Sequence, residues 1–437
     1  MEKSGMQDKD AFNREMLEFL QASTTPFHAV AEMSRRLDAA GFSALREADA
    51  WELQAGGKYY VQRNQSSLVA FVYGTDELPE KGWRMWGAHT DSPCLKLKPK
   101  PDIEKKGYRQ WGVQVYGGAL LNPWFDRDLS LAGRVHYQTK DGALKQRLID
   151  LQRAVAVIPS LAIHLDREAN NARTVNPQTD MPPIVCFSGD NSDLETLLLE
   201  YLKAEGAPDA VELIDFELSL YDTQPPAVIG WRNEFIASAR LDNLLSCFVG
   251  LRGLLATGNK THAVLVCNDH EEVGSLSAIG AQGPMLKAIL QRVVGDHESF
   301  ERAIHQSLMV SADNAHGVHP NYVDRHDNNH GPLLNAGPVI KINANQRYAS
   351  TSETNTLFTA LCKACDVPVQ QFVIRSDMGC GSTIGPITSG ALGVRTVDIG
   401  VPTFAMHSCR ELAGSEDAHG LAKVAAHFFA SRELPQI

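Results

Sequence analysis

Brief, wholly apolar runs recur through the C-terminal half of this chain, each too short for a helix and separated from the next by a helix-period segment. Ala263-Val264-Leu265-Val266-Cys267, Leu308-Met309-Val310 and Phe372-Val373-Ile374 are of this kind, and the stretch 394–399, in which Arg395, Thr396 and Asp398 interrupt the apolar residues, is a fourth strand candidate. Continuous apolarity over so few residues marks a strand buried on both faces. Strands that alternate with helices predict a largely parallel sheet covered on both sides, so the fold class is α/β. Residues 243–256 read as one of the covering helices, with Asp242 as its N-cap. The chain also opens helically: Phe12, Met16, Phe19 and Leu20 recur at helical spacing, followed by Val30, Met33 and Leu37 before a stop at Gly41. Strand-like runs over 59–62, 68–73 and 83–88 come next.

From about Cys94 to Arg232 the texture changes. Lys96, Lys98, Lys100, Lys105 and Lys106 crowd one stretch, and alternating runs such as Val113-Gln114-Val115-Tyr116 and Arg134-Val135-His136-Tyr137 indicate β structure. Pro177, Pro182, Pro183, Pro225 and Pro226 cut the region into pieces. The 437 residues are 43% hydrophobic and 21% charged, a globular balance that supports a substantial core. Lys and Arg total 41 against 52 Asp and Glu, a formal charge of −11, which argues against nucleic-acid binding. The N-terminal residues hold no apolar signal core, and no apolar run reaches membrane-spanning length, so a cytoplasmic protein with no membrane partner is expected. Eight scattered cysteines suit reduced thiols. Cys362 and Cys365 form one C-x-x-C without the second pair a zinc ribbon needs, and they read as packed helix residues.

Chemistry is concentrated at the ends of the predicted strands. His89 and Asp91 follow the run 83–88, and Asp242 follows Phe235-Ile236-Ala237-Ser238-Ala239. Glu271 and Glu272 come just after Cys267, Asp313 just after Val310, and His407 trails the run 394–399 through a loop at Pro402. Five strands thus deliver His, Asp, Glu, Asp and His near their C-terminal ends, the edge of an α/β sheet where active sites gather. Two imidazoles and three carboxylates suit a pair of divalent ions, each taking roughly three or four nitrogen and oxygen ligands, particularly when one carboxylate spans both. The expected arrangement puts His89 and Asp313 on one ion, Glu272 and His407 on the other, and Asp242 between them. Asp91, two positions from His89, is expected to accept the imidazole's second N–H. Extended geometry would turn Glu271 away from Glu272, leaving Glu271 to act as general base on a water whose pKa the ions lower.

At these residues the sequence resembles the aspartyl aminopeptidase family of dinuclear zinc metallopeptidases. The tracts that carry the resemblance are Gly87-Ala88-His89-Thr90-Asp91-Ser92-Pro93, Arg240-Leu241-Asp242-Asn243 and Asp269-His270-Glu271-Glu272-Val273-Gly274-Ser275. Ser311-Ala312-Asp313-Asn314-Ala315-His316, His319-Pro320-Asn321-Tyr322 and Ala405-Met406-His407-Ser408-Cys409-Arg410-Glu411 continue it. Together they span the chain from about Pro26 onward. The resemblance implies a catalytic domain made of residues 1–93 and 235–437, interrupted by an inserted β-rich dimerisation or lid domain over 94–234. It implies removal of N-terminal residues from peptide substrates, with a preference for Asp and Glu. It also implies two zinc ions, with manganese or cobalt as substitutes, and self-association into a homododecamer built from dimers. The family's metal-ligand roles fall on His89, Asp242, Glu272, Asp313 and His407, and its base on Glu271. Lys341 matches a lysine that faces the acidic substrate side chain. His164 matches a histidine offered by a neighbouring subunit to the developing oxyanion, although considered alone it reads as a core histidine. His316 is a further pocket candidate.

One departure stands out. Many relatives read Asp-Thr-Pro-Cys-Gly where this chain has Asp377-Met378-Gly379-Cys380-Gly381. Met378 and Gly379 are expected to border the substrate pocket and to alter its shape, which leaves room for an aminopeptidase of broader specificity. Two readings from other classes are weaker. Gly379-x-Gly381 after a strand lacks the full dinucleotide fingerprint and any P-loop lysine. A catalytically silent scaffold on the same fold would have no use for an intact Glu271.

Overall fold

The computed structural model describes residues 8–189 and 192–435. Its first strands are β1 (Ser43–Leu45), β2 (Gly57–Arg63), β3 (Ser67–Tyr73) and β4 (Trp83–His89). Next come β5 (Cys94–Lys105), β6 (Tyr108–Tyr116), β7 (Leu129–Thr139), β8 (Leu144–Asp150), β9 (Ile184–Phe187) and β10 (Ala210–Asp222). The chain continues through β11 (Ala227–Ile229), β12 (Phe235–Ser238), β13 (His262–Asn268), β14 (Leu308–Ala312) and β15 (Ala315–His316). It ends with β16 (Val339–Lys341), β17 (Gln370–Phe372), β18 (Arg395–Gly400), β19 (Pro402–Phe404) and β20 (Glu411–Gly414). By packing, these elements form two units: Met1–Asp91 with Pro226–Met406 and Glu411–Ile437, and Ser92–Pro225 with His407–Arg410.

The first unit is built on a nine-stranded sheet of order β1-β2-β3-β13-β4-β14-β18-β16-β17. Its centre, β13-β4-β14-β18, is parallel throughout, while β3 and β16 join that centre antiparallel. All of β4, β13 and β14 is buried, as strands covered on both faces must be. Alternation along each strand divides their side chains between two layers. Trp86, Ala88, Leu265 and Val310 pack under the helices Lys9–Ala22, Leu241–Leu255 and Asp417–Ala430. Met85, Val264 and Met309 meet Met285–Val294 and His297–His305 on the other face. This is the covered α/β sheet expected from the apolar runs. A smaller five-stranded sheet, β11-β12-β20-β19-β15, completes the unit.

The second unit is β-rich. Its six strands run β8-β7-β10-β5-β6-β9, all neighbours antiparallel. They enclose a separate core with the helix Leu194–Ala204, in which Trp111, Leu131, Val135, Leu198 and Leu220 meet. Among the described residues, no helix is long and apolar enough to cross a membrane.

Two local expectations are corrected. The helix over 241–255 is capped by Arg240, and Asp242 lies inside it with φ −82° and ψ 105°, outside helical geometry. The N-cap position thus falls on Arg240 rather than Asp242; the Asp242–Asn243 peptide is cis and Asp242 Oδ1 lies 3.4 Å from His89 Nε2. The strand expected over 372–374 ends at Phe372, and Val373 and Ile374 line a cavity.

Candidate metal centre

Parallel strands all point their C-terminal ends to one edge, and there the chemistry-bearing side chains of the first unit meet. His89 closes β4, Asp242 enters from the start of the helix after β12, and Glu272 lies in a single 3₁₀ turn, Glu271–Val273, just beyond β13. One ligand-type atom from each of His89, Asp242 and Glu272 lies within 4.8 Å of the other two. The Nε2 of His89 is 3.4 Å from Asp242 Oδ1, 3.5 Å from Asp313 Oδ1 and 3.9 Å from Glu271 Oε2. Asp313 reaches that place because it follows β14, the neighbour of β4.

So many buried carboxylates around one imidazole repel one another unless positive charge is supplied. Burial pushes the Glu271 carboxyl up to about 7; His89 opposes the shift, while Asp313, Asp242 and Asp91 add to it. Burial disfavours charge on His89 too, yet Glu271, Asp242, Asp313 and Asp91 together hold the imidazole well above its usual range. A divalent cation satisfies the same demand by displacing the imidazole proton. Neutral imidazole nitrogen and carboxylate oxygen are the donors that zinc takes. The residues present therefore fit a metal.

Asp91 organises this edge. Its Oδ1 and Oδ2 accept the backbone N–H groups of Glu271 and Glu272 at 3.2 and 3.1 Å. The Nδ1 of His89 lies closer to the Asp91 carbonyl oxygen, 3.0 Å, than to its carboxylate, 3.4 Å. The residue expected only to steady the imidazole thus also fixes the turn that bears both glutamates. That turn corrects a second expectation. Neighbouring residues in a 3₁₀ helix differ by about 120° rather than the half-turn of a strand. Glu272 joins the ligand group while Glu271 still faces His89, so the pair is not thrown to opposite sides.

Three further residues contribute, of which Glu411 and Cys247 carry no legible signal in the sequence. The Oε2 of buried Glu411, from β20, accepts the Asp242 N–H at 2.9 Å. The thiol of Cys247 donates to the His89 carbonyl at 3.0 Å. Lys341, expected to face a substrate, is only 3% exposed; its ammonium donates to Asp313 Oδ2 at 3.2 Å and to the Asn314 carbonyl at 3.1 Å. It neutralises part of the cluster and orients Asp313.

Gly400 has a steric part in the site. A Cβ there would lie 1.9 Å from the Asp313 carbonyl oxygen and 2.9 Å from the Ala315 nitrogen. Gly400→Ala is expected to cost about 1–3 kcal/mol, the usual range for overpacking, and to weaken metal retention by displacing Asp313. Denaturant unfolding and metal analysis after dialysis would check this; retention equal to wild type would show that the strand end yields without moving its carboxylate.

The remaining candidates sit on other elements. His316, on β15, lines a cavity of about 340 Å³ with Met378 and Gly379, and its ring meets Phe372 edge-on at 5.7 Å. His319, His326 and Arg375, not singled out as site residues from the sequence, line it too. Arg375 is held by Asp377 at 2.6 and 2.9 Å. His164 lies exposed in a turn between Leu161, 59% exposed, and Leu165, 74% exposed, so it is not a core histidine. His407 packs with the second unit, where its Nδ1 is 3.1 Å from the Gly118 carbonyl oxygen.

Comparison with known proteins agrees with this geometry. The family described as aminopeptidase I zinc metalloprotease (M18) matches residues 19–429. A probable M18 family aminopeptidase 2 of Pseudomonas putida is 59% identical over 429 residues, covering 98% of this chain and 100% of the relative. Its counterpart in Stutzerimonas stutzeri is 57% identical over the same shares. Among solved structures, a chain of the Ape4 and Nbr1 complex superposes with a TM-score of 0.92 at 39% identity, covering 96% of this chain and 86% of that one. A chain of the S. cerevisiae mApe1 dodecamer gives 0.85 at 29% identity, covering 96% of each. A match over almost the whole length, with buried His89 and Asp242 and half-buried Glu272 gathered at the strand ends, assigns the chain to the M18 family of zinc aminopeptidases.

Proposed function

We propose that this aminopeptidase removes acidic residues, Asp and Glu, from peptide N-termini with two divalent ions per chain. His89 and Asp313 would hold one ion, Glu272 and His407 the other, with Asp242 between them. Zinc follows from the family; nitrogen and oxygen donors of this kind also accept manganese or cobalt. Bound there, the ions would polarise the scissile carbonyl and make water a stronger acid. The observation that carries the chemistry is the placement of Glu271, whose Oε2 is 3.9 Å from His89 Nε2 while Asp91 holds its backbone N–H. Glu271 takes a proton from the attacking water and returns it to the departing amine nitrogen.

The acidic preference is supported by the cavity that His316 lines. His319 and His326 bring further imidazoles to its wall, and Arg325 and Arg375 bring guanidinium groups that pair with Asp324 and Asp377, with Asp327 also in the lining. A second reading has its own support, because Phe372, Ile374, Phe404, Met406 and Met378 give the same cavity apolar walls. Turnover of otherwise identical peptides beginning with Asp, Glu, Leu or Met, measured together with bound metal, separates the two. Asp and Glu are expected to exceed Leu by at least tenfold in kcat/KM, about 1.4 kcal/mol of discrimination. Leu or Met in front would sink the acidic preference and leave the aminopeptidase.

Self-association belongs to the same proposal. The structural relative named as a dodecamer matches over nearly the whole chain, and the exposed apolar turn around His164 suits a role toward a neighbouring copy, with the imidazole offered to the developing oxyanion. None of the eight cysteines is in a disulfide, which fits a cytoplasmic setting.

A further inference from the structure

Strand β4 carries a charged group at each end. His89 closes it at the metal centre, whereas Arg84 is its second residue and lies at the opposite edge of the sheet. At about 3.3 Å per residue the two are roughly 17 Å apart along the strand. The parallel register pairs Leu308 of β14 with Arg84 on one side and with Arg395 of β18 on the other. Arg84 and Arg395 therefore share one row and one face of the sheet, two strand spacings or about 10 Å apart at the backbone. Both line a cavity of about 530 Å³, together with Lys81 and Arg432.

Among the described residues, the charges around this cavity do not balance locally. Lys81 pairs with Glu433 at 3.0 Å, Arg432 with Asp76 at 2.6 Å and Arg395 with Glu353 at 2.9 Å. Glu80, also on the wall, is taken by Arg302. Arg84 instead spends its hydrogen bonds on the backbone: its Nε, Nη1 and Nη2 donate to the carbonyls of Ser431, Lys81 and Arg432, each at 2.9 Å. Carbonyl oxygens satisfy three of the five guanidinium N–H donors but leave the positive charge in place. That charge is 2% exposed. Burial and the neighbouring Arg395 bring the Arg84 pKa down to about 10, with Asp76 opposing the shift, so the group remains a cation at neutral pH. The Nε of Arg395 is buried with no hydrogen-bond partner among the described residues, a donor left over at the same wall.

We propose that this cavity binds a small tetrahedral oxyanion of the phosphate or sulfate class, at the sheet edge opposite the metal centre. Guanidinium groups are planar forks matched to such oxygens. A tetrahedral anion offers acceptors in several directions, as two guanidinium groups converging from separate strands require, whereas a carboxylate presents a single edge. The cavity is larger than one ion needs, which leaves room for the ion to be carried on a small metabolite. Because Arg84 and Arg395 anchor β4 and β18, occupancy stabilises the sheet that carries the site without touching its ligands.

The test uses the metal-loaded full chain and inorganic sulfate as probe, with ionic strength held constant by chloride. Thermal unfolding and equilibrium dialysis with radiolabelled sulfate are read in parallel. The expected result is saturable binding of one sulfate per chain and a saturating rise in Tm. Arg395→Gln is expected to weaken binding at least tenfold while leaving peptide turnover unchanged in the absence of sulfate. Arg84→Gln should abolish binding; since that variant removes a buried residue and can fail to fold, Arg395→Gln is the deciding substitution. A glycerol phosphate arm identifies the source: tenfold tighter binding than sulfate points to a phosphate ester, equal binding to the inorganic ion. A Tm rise that never saturates and is the same in Arg395→Gln is the general effect of a kosmotropic salt, and with no bound sulfate in dialysis it overturns the proposal.

Discussion

Glu271→Gln is expected to retain its metal and lose roughly 10²–10⁴ of its turnover, the range that a positioned proton-transfer group contributes. The substitution keeps the shape of the side chain and the backbone N–H that Asp91 holds at 3.2 Å, but an amide cannot accept the proton of an attacking water. Metal content is expected to be preserved because Glu271 is the carboxylate farther from His89 Nε2, 3.9 Å against 3.4 and 3.5 Å for Asp242 and Asp313. Removing one of the crowded negative charges also relieves the repulsion within the cluster. The loss should fall on kcat with KM little changed, since the proton moves only as the reaction proceeds. The measurements are initial rates on an acidic N-terminal peptide and metal-to-protein ratios on the same preparation. Near-normal kcat would remove Glu271 from the role of base; a lost metal with lost activity would instead make it a ligand.

How much of this site is legible in the sequence depends on which physical rule places each residue. The positions of His89 and Asp313 follow from largely apolar runs whose ends can be read directly. The α/β sheet and its two covering layers follow from the same runs. The orientation of Glu271 and Glu272 does not, because the turn that holds them is fastened by Asp91, 180 residues earlier in the chain. No local pattern around residue 271 announces that bond. Asp242 resembles a cap in sequence for a similar reason: its N–H is held by Glu411, 169 residues away, and its carboxylate is drawn to His89. Lys341 is legible only through the family resemblance, and its burial against Asp313 depends on where β16, which it closes, pairs with β18 and β18 with β14. The exposure of His164 reverses its surroundings in sequence, where Leu161, Ile163 and Leu165 resemble a core segment and are in fact solvent-facing.

Asp242→Ala gives the other large expected effect, and it tests the dinuclear arrangement rather than the proton transfer. The backbone at this position is anchored independently, through the Asp242 N–H bonded to Glu411 at 2.9 Å, so trimming the side chain removes the carboxylate without releasing the residue. In the wild type, a chelator is expected to abolish activity, and zinc, manganese or cobalt to restore it, because the donor set is not selective among them. In Asp242→Ala the same additions should fail. Loss of an outer-sphere partner alone typically costs 10–100-fold in affinity or activity, and loss of a carboxylate that, under the proposed arrangement, two ions would share should exceed that. The discriminating quantity is stoichiometry: two ions per chain in the wild type, and fewer than one in the variant at a metal concentration that saturates the wild type. Retention of a single tightly held ion would show that Asp242 serves one site only, and the carboxylate joining the two ions would then have to be sought in Glu272 or Asp313.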